Sequence, residues 1–263
     1  MKSPIKTISI IGSGNVAFHL ASVFCSKGIS VKEIVGRNKD KVRDYATQFD
    51  SKPVFDTQEI SLETDLVIIA VSDYAISEIA NSLQLKDLSV VHTSGSVALN
   101  SLQNISSQIG VFYPLQTFST STPTDFSNLP ICIESSDHTV QEKLKDLAML
   151  VTNKVYFLDS EQRRNLHLAA VISNNFINYL LSSTFDFLEK HKINKEILIP
   201  LVDETFKRIK NNSTKDLQTG PARRNDRETI QAHLEILKTS PELYDIYKMM
   251  SNEILIKYHG NRL

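Results

Sequence analysis

The chain has 263 residues, 41% of them hydrophobic and 22% charged, with a formal net charge of -1. That leaves room for two domains or one large one, and gives no basis for wholesale binding of nucleic acid or an anionic membrane. Cys25 and Cys132 have neither metal-ligand spacing nor a disulfide framework, which suits a reducing cytoplasm. No stretch reaches the length of an apolar membrane span, and Gly12–Asn15 breaks the apolar run that follows Lys2 and Lys6. Neither a spanning helix nor a signal peptide is expected.

The first predicted strand, Thr7–Ile11, runs directly into Gly12-x-Gly14-x-x-Ala17 and then into a helix over Asn15–Lys27. Strand, glycine turn and helix in that order form the dinucleotide fingerprint. Gly12 permits the tight turn, Gly14 lets the backbone approach a pyrophosphate, and Ala17 lets the helix pack close on its strand. The free N–H groups of the helix start then face the phosphates. Gly12, Ser13, Gly14, Asn15 and Val16 form the expected cradle.

Gly28 stops that helix, and Ser30–Val35 reads as the second strand. Asn38 caps a helix to about Phe49. A short strand follows near Pro53–Phe55. Asp65–Val71 is an apolar run of the kind buried on both faces in a parallel sheet. A helix over Tyr74–Leu83 leads to the strand Ser89–His92. Next come a Gly110–Tyr113 strand, a Ser/Thr-rich loop over Thr117–Thr124, and a strand–helix–strand set at Ile131–Glu134, Val140–Leu150 and Lys154–Leu158. Strand and helix alternate, so this half is α/β with a Rossmann-like parallel sheet.

At Asp159 the period changes. Asp159-x-x-Gln162 resembles a capping box, and a helical pattern of roughly 30 residues follows to about Lys190. Lys195–Asn211, with Pro200 expected to kink or split it, Arg227–Lys238 and Pro241–Tyr258 also read as helices. The expected plan is an α/β domain over residues 1–158 and an all-helical domain over residues 159–263.

Cofactor choice turns on the end of the second strand. Glu33 lies near the distance expected of a ribose-binding carboxylate, which would mean NAD. It falls inside the strand, however, two residues before its end. The end itself reads Gly36-Arg37-Asn38, with Lys41 a turn later, and an arginine there suits the 2′-phosphate of NADP. NADP is therefore preferred over NAD, with Arg37, Asn38 and Lys41 on that side. Val71, Ser72 and Asp73 end the next parallel strand, where such sheets place ligands; Asp73 is equally a helix cap. Ser94 and Gly95, after His92, are candidates for nicotinamide or substrate.

On the long helix His167, Val171, Asn174 and Asn178 recur at four, three and four, which predicts one face. Ala169, Ile172, Phe176 and Leu180 are expected to be core. His167 is the candidate proton donor, Asn174 orients the substrate and Asn178 joins them. Arg223 lies in the loop Thr219–Asp226, within a basic stretch from Lys207 to Arg227 that includes Lys215, and suits a carboxylate or phosphate.

These pieces resemble a bacterial family of NADP oxidoreductases with a Rossmann-like domain and a helical domain of unknown function. The likeness rests on Ile11–Ala17, Tyr113-Pro114-Leu115-Gln116-Thr117-Phe118, His167–Ala170 with Asn174-Asn175-Phe176, and Gly220–Arg223. More distantly the chain is similar to pyrroline-5-carboxylate reductases and β-hydroxyacid dehydrogenases, which implies a homodimer joined through the helical domains. Pyrroline-5-carboxylate reductases receive substrate on a Thr-Ser-Pro-Gly-Gly-Thr loop; here Thr219-Gly220-Pro221 is followed by arginines. β-Hydroxyacid dehydrogenases carry a catalytic lysine three residues before an Asn-Asn pair, and that position holds Val171. The expected function is reduction of a small anionic C=O or C=N compound by NADPH in the cytoplasm. Two alternatives stand beside it: a cofactor-binding regulatory or assembly protein without turnover, and hydride exchange between NADP and a deazaflavin.

Overall fold

The computed structural model describes residues 4–211 and 217–263. Lys215 and Asp216 of the basic stretch lie outside the described residues. The chain divides into two compact units, Met1–Ala170 and Val171–Leu263.

The first unit holds an eight-stranded sheet in the order β3-β2-β1-β4-β5-β6-β7-β8. Its strands are β1 (Thr7–Ile11), β2 (Ser30–Val35), β3 (Lys52–Val54), β4 (Leu66–Ile69), β5 (Lys86–His92), β6 (Ser106–Pro114), β7 (Ile131–Ser135) and β8 (Val155–Phe157). Pairing is parallel from β3 through β6, while β7 runs antiparallel to β6 and parallel to β8. The strand order reverses between β1 and β4, and ligands of open α/β sheets bind at such a switch point, outside the carboxyl ends of the strands.

Why the middle strands form is plain from their side chains. Leu66, Val67, Ile68 and Ile69 are all fully buried, as a parallel strand covered on both faces requires. Four helices accompany the sheet: α1 (Asn15–Ser26), α2 (Lys39–Gln48), α3 (Asp73–Ser82) and α4 (His138–Met149). Phe24 of α1 and Leu144 of α4 are buried in one large apolar cluster with Ile10, Ile68 and Phe112. Asn38 caps α2 by accepting from the Lys41 N–H at 3.1 Å, and Gly28 ends the first crossover with φ +78°.

The register lines up one row across this sheet. Ile11 pairs with Val35 and with Ile69, Ile69 with His92, His92 with Val111, and Val111 with Glu134. Nearly every predicted site residue of this unit begins just beyond that row.

The unit closes with α5 (Ser160–Ala170). Its start is a true capping box: Gln162 N–H donates to Asp159 Oδ1 at 2.8 Å, and Asp159 N–H donates to Gln162 Oε1 at 3.1 Å. The helical pattern is not one α-helix, however. Val171–Asn175 is a π turn, followed by α6 (Phe176–Lys190). A π turn takes more residues per revolution, so the spacing that grouped His167, Val171, Asn174 and Asn178 does not carry across it.

The second unit continues with α7 (Ile199–Asn211), α8 (Pro221–Arg224), α9 (Arg227–Leu237) and α10 (Pro241–His259). The stretch predicted as one helix over Lys195–Asn211 is split just before Pro200, into a 3-10 turn at Lys195–Ile197 and α7. The proline sits in the first turn of α7, where a missing N–H costs nothing. Ala222, Ile230, Leu234 and Leu255 form a small core. A second expectation also fails: Ile172 is 52% exposed, Phe176 60% and Leu180 38%, and Ala169 is exposed too. The pattern marked these residues as apolar, but among the described residues they are not packed into a core. Among the described residues no helix is long and apolar enough to cross a membrane.

Candidate active site

The glycine turn is built for close approach. Gly12 has φ +135°, and a Cβ there would lie 2.1 Å from the Ala70 carbonyl oxygen. Glycine thus lets the end of β1 press against the end of β4 at the switch point. Gly14 differs: a Cβ there would meet nothing within 4 Å, so the space beside it is open. It is also the N-cap of α1, with no side chain capping the helix and no acidic residue in the first turn. Uncapped N–H groups facing open space next to a glycine backbone fit a dinucleotide diphosphate. Ala17 is fully buried, as close helix–strand packing demands. Val16 packs on the main core, and Ser13 lies next to Gly36 of the neighbouring strand end. The Asn15 amide donates to the Phe118 carbonyl at 2.8 Å, and His19 Nε2 donates to that of Ser119 at 2.9 Å. Both tie the β6–β7 loop to α1.

At the end of β2 the two cofactor candidates separate. Glu33 is 2% exposed; its carboxylate accepts from the Ser61 N–H at 2.9 Å and pairs with Lys52 at 3.3 Å. Arg37 and Lys41 are exposed beyond the strand end. The Tyr74 hydroxyl lies beside the side chains of Ser72 and Arg37, which draw its pKa down. Asn38 spends its side-chain oxygen on capping α2. Asp73 does not cap α3; its carboxylate accepts from the Ser96 hydroxyl and links the ends of β4 and β5. Val71 packs against the second apolar cluster.

Beyond β5 the chain folds back on itself. Ser94 is buried, and its oxygen accepts from the N–H groups of Ser96 and Val97 at 3.0 and 3.1 Å. The Ser94 N–H donates to His92 Nδ1 at 3.1 Å. His92 is fully buried; burial, aided by the Arg163 charge, pushes its pKa down to about 4, so it stays neutral.

Gly95 is closely enclosed by two side chains. A Cβ there would lie 2.6 Å from His167 Nδ1 and 2.8 Å from Tyr113 Cζ. The Tyr113 hydroxyl and His167 Nδ1 are 3.0 Å apart, with their rings near perpendicular at 73°. His167, predicted from the helix, and Gly95, predicted from the strand end, therefore meet.

Sequence reasoning missed what holds them. Arg163, one turn before His167 on α5, is completely buried. Its NH1 donates to the carbonyls of Ser94, Gly95 and Val97 at 3.2, 3.1 and 2.8 Å. Its NH2 pairs with Glu134 at 2.8 Å and donates to Ser160 at 3.2 Å. The capping box placed α5, but nothing in the sequence marked Arg163 as buried rather than solvated. Tyr113 stood out only as a strand residue and as the first residue of the Tyr113–Phe118 motif, with nothing to pair it with His167.

The other predicted residues belong to the second unit. Asn174 lies in the π turn and Asn178 on α6. Arg223 is on α8, its guanidinium 4.3 Å from the centre of the Tyr258 ring. The start of α9 takes Asp226 as its cap, through the Thr229 N–H at 3.1 Å.

The family described as NADP oxidoreductase, coenzyme F420-dependent, matches residues 7–95, and the domain of unknown function DUF2520 matches residues 129–254. A search of curated proteins found no match. Among solved structures, BF3122 of Bacteroides fragilis, titled a "putative NADP oxidoreductase", is 33% identical. The alignment spans 95% of this chain and 98% of that one, with a TM-score of 0.89.

The chain belongs to this NADP oxidoreductase family.

Protein TM1727 of Thermotoga maritima shares the fold at 23% identity, over 94% of this chain and 99% of that one, with a TM-score of 0.74. The 1-pyrroline-5-carboxylate reductase of Streptococcus pyogenes shares it at 14% identity, over 95% and 98%, with a TM-score of 0.58. Both structures share this chain's fold.

Proposed function

We propose that this oxidoreductase uses NADPH to reduce a small C=O or C=N compound carrying an anionic group, with His167 as proton donor. The observation that carries the reading is the meeting of His167 with Gly95 at the carboxyl edge that also holds the open glycine cradle. The bound cofactor would supply hydride. Gly12–Val16 would hold its diphosphate, and Ser94–Ser96 would stand at the reacting end. His167 would give a proton to the atom that gains charge as hydride arrives.

NADP is preferred because Glu33 is committed inside the sheet, leaving Arg37 and Lys41 at the strand end. Arginine binds a 2′-phosphate through a planar fork and also stacks on adenine. The anionic preference rests on exposed Arg223 and Arg224. The exposed apolar side chains Leu168, Ile172, Phe176 and Tyr179 support a homodimer through the helices.

Paired fluorescence titration tests the cofactor half. NADPH should bind at least tenfold more tightly than NADH, and Arg37→Ala should erase the difference. Equal binding of both by the native protein would sink it. A second reading, NADP–deazaflavin hydride exchange, draws on the F420-dependent description of residues 7–95. Bleaching of an added deazaflavin by NADPH, with no turnover of keto acids or cyclic imines, would favour it.

A further inference from the structure

We propose that Tyr113 and His167 form a two-residue proton relay, with His167 Nε2 as the atom that meets the substrate. This deepens the reductase reading above and rests on it.

The hydroxyl of Tyr113 is the starting point. The residue is 8% exposed, on β6, two positions beyond the row that crosses the sheet. Its hydroxyl lies 3.0 Å from His167 Nδ1. A phenol has one hydrogen to give, and a buried hydroxyl that fails to donate pays for it. Burial, with Cys132 nearby, pushes the Tyr113 pKa up to about 12, so the group stays protonated near neutrality. Tyr113 therefore donates, and Nδ1 accepts. In a neutral imidazole the nitrogen that accepts carries no hydrogen, which places the hydrogen on Nε2.

Packing points the same way. A Cβ at Gly95 would fall 2.6 Å from Nδ1 and 2.7 Å from Cγ, so that edge of the ring is closed. Nε2 is on the opposite edge, and the side chain as a whole is partly exposed.

Consider a carbonyl substrate. As its carbon gains hydride, the π electrons move to oxygen. The resulting alkoxide takes the proton from Nε2, Nδ1 takes the proton of Tyr113, and the negative charge ends on the phenolate. A phenolate is a much weaker base than an alkoxide, so the net transfer runs downhill. The Arg163 charge favours the phenolate as well, opposing part of the burial. Without Tyr113, a neutral His167 would have to become an imidazolate. After product leaves, water protonates Nε2 and the Nδ1 proton returns to Tyr113, which restores the pair. Tyr113 is thus a positioning residue and a proton reservoir acting through His167.

The test needs no substrate. Protein labelled with 15N-histidine is studied by long-range 1H–15N NMR at pH 8, as wild type and Y113F, with His167→Gln to assign the signals. His167 should carry its hydrogen on Nε2 in wild type, and a mixture of both tautomers should appear in Y113F. An Nδ1–H tautomer in wild type, or identical populations in the two proteins, would overturn the relay. If Y113F does not fold, the wild-type tautomer alone decides. Titration of the same wild-type sample with NADPH separates the two ideas. No binding would overturn the reductase reading and the relay's purpose with it, whereas a wrong tautomer overturns the relay alone.

Discussion

His92 shows how one residue links the site to the stability of the fold. Its unfolded pKa is near 6.5 and its folded pKa about 4, because burial disfavours the imidazolium. Between those values the unfolded chain binds more protons, so stability rises with pH across the window. The contribution is complete above pH 6.5 and is lost as pH falls toward 4. The gap corresponds to about 3 kcal/mol at most. Urea midpoints measured from pH 7.5 to 4 should fall more steeply for the native protein than for His92→Asn. That variant keeps an acceptor for the Ser94 N–H but does not titrate. Parallel curves would show that His92 is not the group responsible.

At the scale of elements, a fully buried arginine ties α5 to the loop after β5 through hydrogen bonds and to β7 through an ion pair. Arg163 spans three backbone carbonyls and Glu134, and Glu134 also accepts from the Ser160 hydroxyl at 2.8 and 2.9 Å. Removing one partner of a buried pair leaves an uncompensated charge, at a cost of about 3–5 kcal/mol. Glu134→Ala should therefore lower the unfolding free energy obtained from urea titration by about that amount, and a change below about 1 kcal/mol would contradict the clamp. The sequence was most readable where structure is local. The capping box at Asp159, the Asn38 cap, the Gly28 stop and the all-apolar β4 were visible because their causes lie within a few residues. Arg163 was not, since its partners are 29 and 66–69 residues away and a helical arginine reads as solvated. The Tyr113–His167 pair spans 54 residues and left no periodic trace. The π turn was invisible because its residues continue an ordinary helical pattern.

For the molecule as a whole, the exposed helical side chains are the largest unfinished business. Leu168, Ile172, Phe176 and Tyr179 are each more than half exposed, from 52% to 60%. Large apolar side chains left this open to water mark a surface that suits a partner. Light scattering should report a mass near twice 29.6 kDa, and Phe176→Glu should return it to the monomer value. A monomeric native protein would sink the homodimer. The sequence identified these residues as apolar but could not name what covers them, because periodicity says which side avoids water and not what lies against it.

The hydrogen at Gly95 also sets a distance. With no β-carbon there, a phenol and an imidazole close over the backbone to hydrogen-bonding range. A single methyl would stand 2.6–2.8 Å from both rings and force them apart. The chain can hold a side chain at this position or keep its two rings in contact, and it cannot do both. On the reductase reading proposed above, position 95 is where one added methyl would separate the imidazole from the phenol that is to supply its proton.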